Sequence, residues 1–358
     1  MRFACSASAD GRRPTTPRDP ASPQGAARAR VLRRGRDAML ASCLSWLMIS
    51  PAHAASVVAS EAEREGLVVA NLQKIEQRVG ARLGVTVLDT ADGRRVSWRG
   101  DERFPMSSTF KVLACGNLLS RVDARQESLS RKVEIRPADL VTYSPVTERQ
   151  VEGDGMTLAA LCRATITTSD NTAGNLILDA IGGPVGLTNY LRTLKDDSTR
   201  LDRRETALNE ATPGDPRDTT TPDAMASTLQ RLLLGEALSE ASRLTLQGWM
   251  LANTTGSDKL RAALPDDWQI ADKTGGGGHG TNNDIAIIWP PNHAPLIVAV
   301  YLTESEAERA VRDAAIADVG RLLVSEVLAI EVLAIEGPAT EGVDTHADID
   351  RVTRERTC

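Results

Sequence analysis

The segments that read as strands stand at the two ends of the folded chain, and nearly everything between them reads as helix. Ala81–Thr90 and Arg94–Trp98 look like two strands joined by the turn Asp92-Gly93. Strand patterns return only at Trp268–Lys273, Asp284–Trp289 and Leu296–Leu302. Residues 107–253 are mostly helical in pattern, punctuated by Gly182-Gly183 and by a polar, Pro-rich loop at 202–222. The ends therefore share one sheet, and the middle is an insertion. Apolar spacing predicts a helix over 57–79 and a last one from about Ser305 to Glu336. The fold class expected is α/β plus all-α: an antiparallel sheet flanked by N- and C-terminal helices, a helical domain inserted, and a site in the cleft between them.

The outermost segments carry a different signal. Residues 1–37 hold nine Arg and three Asp, and Ala38–Ala54 is an uncharged stretch with Leu40, Leu44, Trp46, Leu47, Met48 and Ile49, ending in Ala52-His53-Ala54. A basic segment, a short apolar run and an A-x-A site describe a secretory signal peptide; the run is short for a membrane span. The expected organisation is a leader at 1–54, an α/β domain in two parts at 55–106 and 254–336, a helical domain at 107–253 including the loop 202–222, and a disordered tail at 337–358. Removing the leader changes the net charge from −6 to −12, and the expected location is periplasmic or secreted. Acidity argues against a nucleic-acid partner. Four scattered His, with no HxH or HExxH, argue against a zinc hydrolase. No metal or cofactor is expected. In an oxidising compartment Cys115 and Cys162 admit two readings, a disulfide or two buried thiols. A duplicated EVLAI at Glu326–Ile330 and Glu331–Ile335 extends the last helix.

Four motifs carry chemistry. Ser108-Thr109-Phe110-Lys111 opens a helix, which puts Ser and Lys on one face. A buried amine that is partly neutral can take the hydroxyl proton; alone, the pair reads equally as a cap beside an unrelated Lys. Ser169-Asp170-Asn171 precedes another helix, where all three residue types favour capping. Lys273-Thr274-Gly275, followed by Gly276-Gly277-Gly278, ends an apolar strand and offers a cation and a hydroxyl to a carboxylate. In the polar loop, Glu205 and Asn209 are placed to hold a water for general-base attack, and Arg203 and Asp218 to close the loop as a pair.

In this order, S-x-x-K, S-D-N 61 residues on, an acidic loop and K-T-G, the set resembles that of class A serine β-lactamases over roughly 60–336. Val141–Thr147 resembles the family's tyrosine-bearing cleft wall, and 201–220 its Ω-loop. The resemblance implies Ser108 as the acylated nucleophile, Lys111 as its activator, Ser169 as proton relay, and Glu205 with Asn209 activating the deacylating water. It implies that Asn171 binds the substrate amide, that Lys273, Thr274 and Gly275 hold the ring carboxylate, and that the N–H groups of Ser108 and Gly276 form the oxyanion hole. The resemblance also implies that Tyr143 lines the cleft and that Cys115 and Cys162 form a disulfide. The implied protein is a monomer acting on β-lactam antibiotics, penicillins and at least some cephalosporins, and conferring resistance.

The chain departs from the family where many members place an Arg after K-T-G. His279–Asp284 has none, so the cation is sought in Lys259 first and Arg312 second. Ser107, not Cys, precedes Ser108. A D-Ala-D-Ala peptidase shares Ser, Lys, S-x-N and K-T-G but generally lacks a positioned deacylating carboxylate. A covalent β-lactam sensor needs a signalling span. Glu205 in its R-x-E-x-x-L-N context favours the hydrolase.

Overall fold

The computed structural model describes residues 51–335, so residues 1–50 of the expected leader 1–54 and the expected tail over 337–358 lie outside the described residues. The first helix, α1, covers Pro51–Val79, longer on its N-terminal side than the predicted 57–79. Strands β1 (Arg82–Asp89) and β2 (Arg95–Trp98) follow as a hairpin, then a two-residue strand β3 at Phe104–Pro105. Helix α2 covers Phe110–Asp123. Short strands β4 (Lys132–Val133) and β5 (Met156–Thr157) precede α3 (Leu158–Thr167), α4 (Asn171–Ala180) and α5 (Gly183–Thr193). After the loop come β6 (Thr219–Thr220), α6 (Pro222–Leu233) and α7 (Glu240–Leu251). Strands β7 (Gln269–Gly276), β8 (Asn282–Trp289) and β9 (Leu296–Thr303) complete the main sheet, and α8 (Arg309–Ile335) takes in both EVLAI copies. Among the described residues no helix is long and apolar enough to cross a membrane.

The sheet order is β2-β1-β9-β8-β7, all antiparallel. The ends of the chain meet at β1 and β9, in register from Arg82 opposite Thr303 to Asp89 opposite Leu296. Every residue of β9 is buried, because both faces of the sheet are covered. Leu83, Val85, Ile288, Val298 and Val300 pack with Leu72, Ile75, Ile316 and Val319 of α1 and α8. Ile285, Ile287, Ile297 and Tyr301 join the core of the helical part. The pairs β3–β6 and β4–β5 are two residues long, too short for periodicity to reveal.

Helix α2 runs through the middle of the helical part. Ten consecutive residues, Phe110 to Leu119, are buried, as in a helix enclosed on all sides. Its neighbours are capped by side chains: Thr157 for α3, Asp170 for α4, Thr221 for α6 and Ser239 for α7. Cys115 of α2 and Cys162 of α3, both fully buried, form the disulfide that the resemblance implied. Their separation is 47 residues, for which chain-entropy arguments give about 4 kcal/mol of stabilisation. Replacing both with Ala is expected to lower the unfolding free energy by up to about that amount. Urea titration of the double variant measures it, and an unchanged midpoint would show the bond to be energetically idle.

Candidate active site

Ser108 lies in a 3-10 turn, Ser107–Thr109, that leads into α2. The turn is held on several sides. The Met106 N–H donates to the Asp218 carbonyl (2.9 Å), Thr109 Oγ1 donates to the Met106 carbonyl (2.8 Å), and Asn283 Nδ2 reaches the carbonyls of Pro105 and Met106. Ser107 has φ +44°, an uncommon conformation for a residue with a side chain. Enforced geometry of this kind needs such a surround.

One helical turn on, Lys111 is completely buried. Its Nζ donates to Ser108 Oγ (2.9 Å), the Ser169 carbonyl (2.8 Å) and Asn171 Oδ1 (2.6 Å), and lies 3.0 Å from Glu205 Oε1. Burial lowers its pKa, opposed by the attraction of Glu205. Glu205 Oε1 is also 3.4 Å from Ser108 Oγ, so two bases face one hydroxyl. Asn209 Nδ2 donates to Glu205 Oε2 at 2.5 Å, and Asn209 Oδ1 is buried with no donor.

Asp170 explains why S-D-N precedes α4. It caps the helix, and it also accepts from the N–H groups of Val146 and Thr147 (2.9 Å each) and from Thr147 Oγ1. The capping reading of this motif therefore holds for Asp170, which also anchors the segment before it. One buried carboxylate ties the Tyr143 segment to α4, and Tyr143, φ +65° and 57% exposed, lines the cleft. Asn171 donates from Nδ2 to the Thr142 carbonyl (2.8 Å).

From the other side, β7 carries Lys273, Thr274, Gly275 and Gly276. The strand continues three residues beyond the predicted end at Lys273, with Thr274, Gly275 and Gly276 opposite Asp284, Asn283 and Asn282. Glycine gives no strand signal, so the ladder shows only in three dimensions. Gly275 is required by packing: a Cβ there would lie 2.8 Å from the Met106 carbonyl. Lys273 Nζ donates to the Thr274 carbonyl (2.7 Å) and to Ser169 Oγ (3.1 Å), which Lys111 Nζ approaches to 3.4 Å. Burial, then repulsion from Lys111, holds the Lys273 pKa well below that of a free lysine. Thr274 Oγ1 meets Thr255 Oγ1 at 2.5 Å.

The loop that carries Glu205 is closed by ions. Arg203 Nε meets Asp218 Oδ2 at 2.6 Å, as the sequence suggested, and Asp218 Oδ1 accepts from the N–H groups of Asp202 and Arg203. Asn175, which the sequence did not single out, brackets the Glu205 peptide: its Oδ1 accepts from Glu205 N and its Nδ2 donates to Glu205 O, both at 3.0 Å. It stands four residues after Asn171 on α4, a spacing that marks one helix face. The Gly278 N–H donates to the Asn209 carbonyl (2.8 Å), which links this loop to the end of β7.

Lys259, sought as the cation for the ring carboxylate, lines the cleft but is held by protein groups. It is 2% exposed, and its Nζ donates to Asn282 Oδ1 and the Asn283 carbonyl (3.1 Å), with Asp313 at 3.7 Å. Burial lowers its pKa. Ser108, Tyr143, Ser169, Asn171, Asn209 and Thr274 line a cavity of about 350 Å³, whose lining also includes Lys259, Arg312 and Arg309. Arg309 was not foreseen.

An antiparallel sheet backed by two terminal helices and an inserted helical part enclose a buried Ser-Lys-Glu cluster between them. The sequence pattern of the beta-lactamase enzyme family matches residues 67–327. The β-lactamase CARB-3 of Pseudomonas aeruginosa is 48% identical over 265 residues, 74% of this chain and 92% of that protein. AER-1 of Aeromonas hydrophila is 47% identical over 252 residues, 70% of this chain and 83% of that protein. The solved ancestral GNCA class A β-lactamase is 61% identical with a TM-score of 0.72, covering 72% of this chain and 99% of its own. The chain belongs to this family and is a class A β-lactamase.

Replacing Asp218 by Ala removes three acceptor contacts and leaves Arg203 with Glu210 as its remaining carboxylate partner. A loss of about 3 kcal/mol is expected, with limited proteolysis cutting first within 202–217. Equal protease resistance to the parent would show that the pair does not hold the loop.

Proposed function

We propose that this enzyme opens the β-lactam amide of penicillins, and of at least some cephalosporins, through an acyl-enzyme on Ser108, and so confers resistance. The observation that carries this reading is one hydroxyl facing two bases: Ser108 Oγ is 2.9 Å from Lys111 Nζ and 3.4 Å from Glu205 Oε1. Ser108 Oγ loses its proton to one of these bases and attacks the lactam carbonyl. The oxyanion falls to the N–H groups of Ser108 and Gly276, the latter on the edge strand β7. As the C–N bond breaks, Ser169 Oγ passes a proton to the ring nitrogen and is resupplied from the ammonium groups beside it. Glu205 then takes a proton from a water held with Asn209, the resulting hydroxide attacks the ester carbonyl, and as the C–O bond breaks a proton returns to Ser108 Oγ from Glu205 or by way of Lys111. Asn209 Oδ1, buried without a donor, is an acceptor for such a water. Lys273, Thr274 and Gly275 receive the ring carboxylate, while Asn171 and Tyr143 face the side-chain amide.

The two-part α/β domain, the helical insertion and the cleavable leader are parts of the same proposal. Export to the periplasm or medium is supported by the disulfide, which persists in an oxidising compartment. The working species is taken as a monomer.

Intact-mass spectrometry after adding a penicillin tests the mechanism. Wild type should return to its free mass, and Glu205→Gln should stay acylated, with deacylation slowed by about 10²–10⁴-fold. A wild type that stays acylated for hours would instead be a penicillin-binding or sensor protein. Turnover by Ser108→Ala would remove the nucleophile assignment.

The pH profile provides a second test. The pKa of Lys273 is lowered, so its charge, and carboxylate binding with it, disappears as pH rises through that lowered value. Arg stays charged throughout. Lys273→Arg should therefore move the alkaline limb of kcat/KM to higher pH. An unmoved limb would assign it to another group.

A further inference from the structure

The sequence is acidic overall, net −6, yet the cleft lining contains Lys259, Arg309 and Arg312, while the carboxylate that meets it, Glu205, lies at Ser108 against Lys111. Lys259 and Arg309 both approach Asp313, and Arg312 stands three residues after Arg309 on α8. They are not equivalent. Lys259 is turned inward onto Asn282 and the Asn283 carbonyl. Arg312 donates to the Ala307 carbonyl, and its Nε is buried with no acceptor. Arg309, the first residue of α8, keeps its side chain 76% exposed, and its carboxylate neighbour is Asp313, at 3.5 Å.

The acids nearby do not balance this group. Asp313 is shared: it accepts from Asn282 Nδ2 (2.9 Å) and stands 3.7 Å from Lys259. Asp284, opposite Thr274 in the ladder, is fully buried, and burial together with Asp272 pushes its pKa well above the carboxylate range. Asp313 is thus shared by Lys259 and Arg309, Arg312 has no carboxylate within salt-bridge distance among the described residues, and positive charge faces the cleft at Arg309 and Arg312.

We propose that Arg309, with Arg312 behind it, forms a second anion subsite that selects β-lactams carrying a negative group in addition to the ring carboxylate, on the ring side of the molecule. This rests on the β-lactamase mechanism above, in which the ring carboxylate already has Lys273 and Thr274. A cephalosporin with an acidic heterocycle on its leaving side is the substrate class that fits. An exposed guanidinium near a mobile anionic substituent contributes as a surface ion pair does, which corresponds to about two- to fivefold in affinity.

The test compares two cephalosporins that share one side chain, one with an acidic and one with a neutral leaving-side heterocycle. For each, kcat and KM are measured on wild type, Arg309→Gln and Arg309→Glu. The acidic-to-neutral ratio of kcat/KM should fall by about two- to fivefold in Arg309→Gln and further in Arg309→Glu, with the change in KM. In wild type the ratio should also fall as KCl is raised from about 0.05 to about 0.5 M, because screening shortens the reach of the charge. A ratio that stays constant across the variants, or both substrates losing equally, would overturn the subsite and leave the hydrolase intact. Failure of wild type to turn over either cephalosporin or a penicillin would overturn the underlying mechanism instead.

Discussion

The buried ammonium of Lys111 organises the site. A charge with no solvent exposure must be satisfied by protein groups or lose its proton. Here four partners come from three places: Ser108 on the same turn, the Ser169 carbonyl and Asn171 at the start of α4, and Glu205 from the polar loop. Each partner has a stable position only if the others are in place. The arrangement therefore acts as a lock between α2, α4 and the loop, and it leaves the Ser108 hydroxyl beside an amine whose proton burial has loosened.

The sheet enters this lock from behind. Asn283 on β8 holds the carbonyls just before Ser108, and Gly275 on β7 lets the strand close to within reach of the Met106 backbone. Lys273 then meets Ser169, so a strand and a helix start share one hydroxyl. Two ammonium groups around Ser169 Oγ would repel one another in water. In the buried cleft that repulsion adds to desolvation and lowers the Lys273 pKa. The Gly278-to-Asn209 hydrogen bond continues the connection from the strand end to the loop that positions Glu205. Ser108, Ser169 and the Lys273–Thr274 end of β7 are thus parts of one hydrogen-bonded body rather than separate motifs.

Much of this was legible in the chain. Strand patterns at both ends required a shared sheet, and β1 does pair with β9. The order of S-x-x-K, S-D-N, the Glu205 loop and K-T-G carried the family, because each motif alone has an ordinary explanation. Asp170 keeps its ordinary explanation and adds to it: it is a helix cap and also the anchor of the Tyr143 segment. Asn175 escaped notice because an Asn within a helix has no pattern of its own. Its role exists only because the Glu205 peptide folds back onto α4. The strand end at Gly276 was hidden for a related reason, since glycines lack the side chains from which periodicity is read.

The linear sequence determined the elements, the family and the residue types that chemistry needs, since these follow from local periodicity and from motif order. The tertiary structure decided which charges are free. Lys259 and Arg309 are both cations with no distinguishing motif, yet one is drawn into the interior by Asn282 and Asn283 while the other stands at the rim of the cleft. Burial and partner geometry are properties of segments distant in sequence meeting in space, and the pKa of a lysine or the availability of an arginine is set by that meeting.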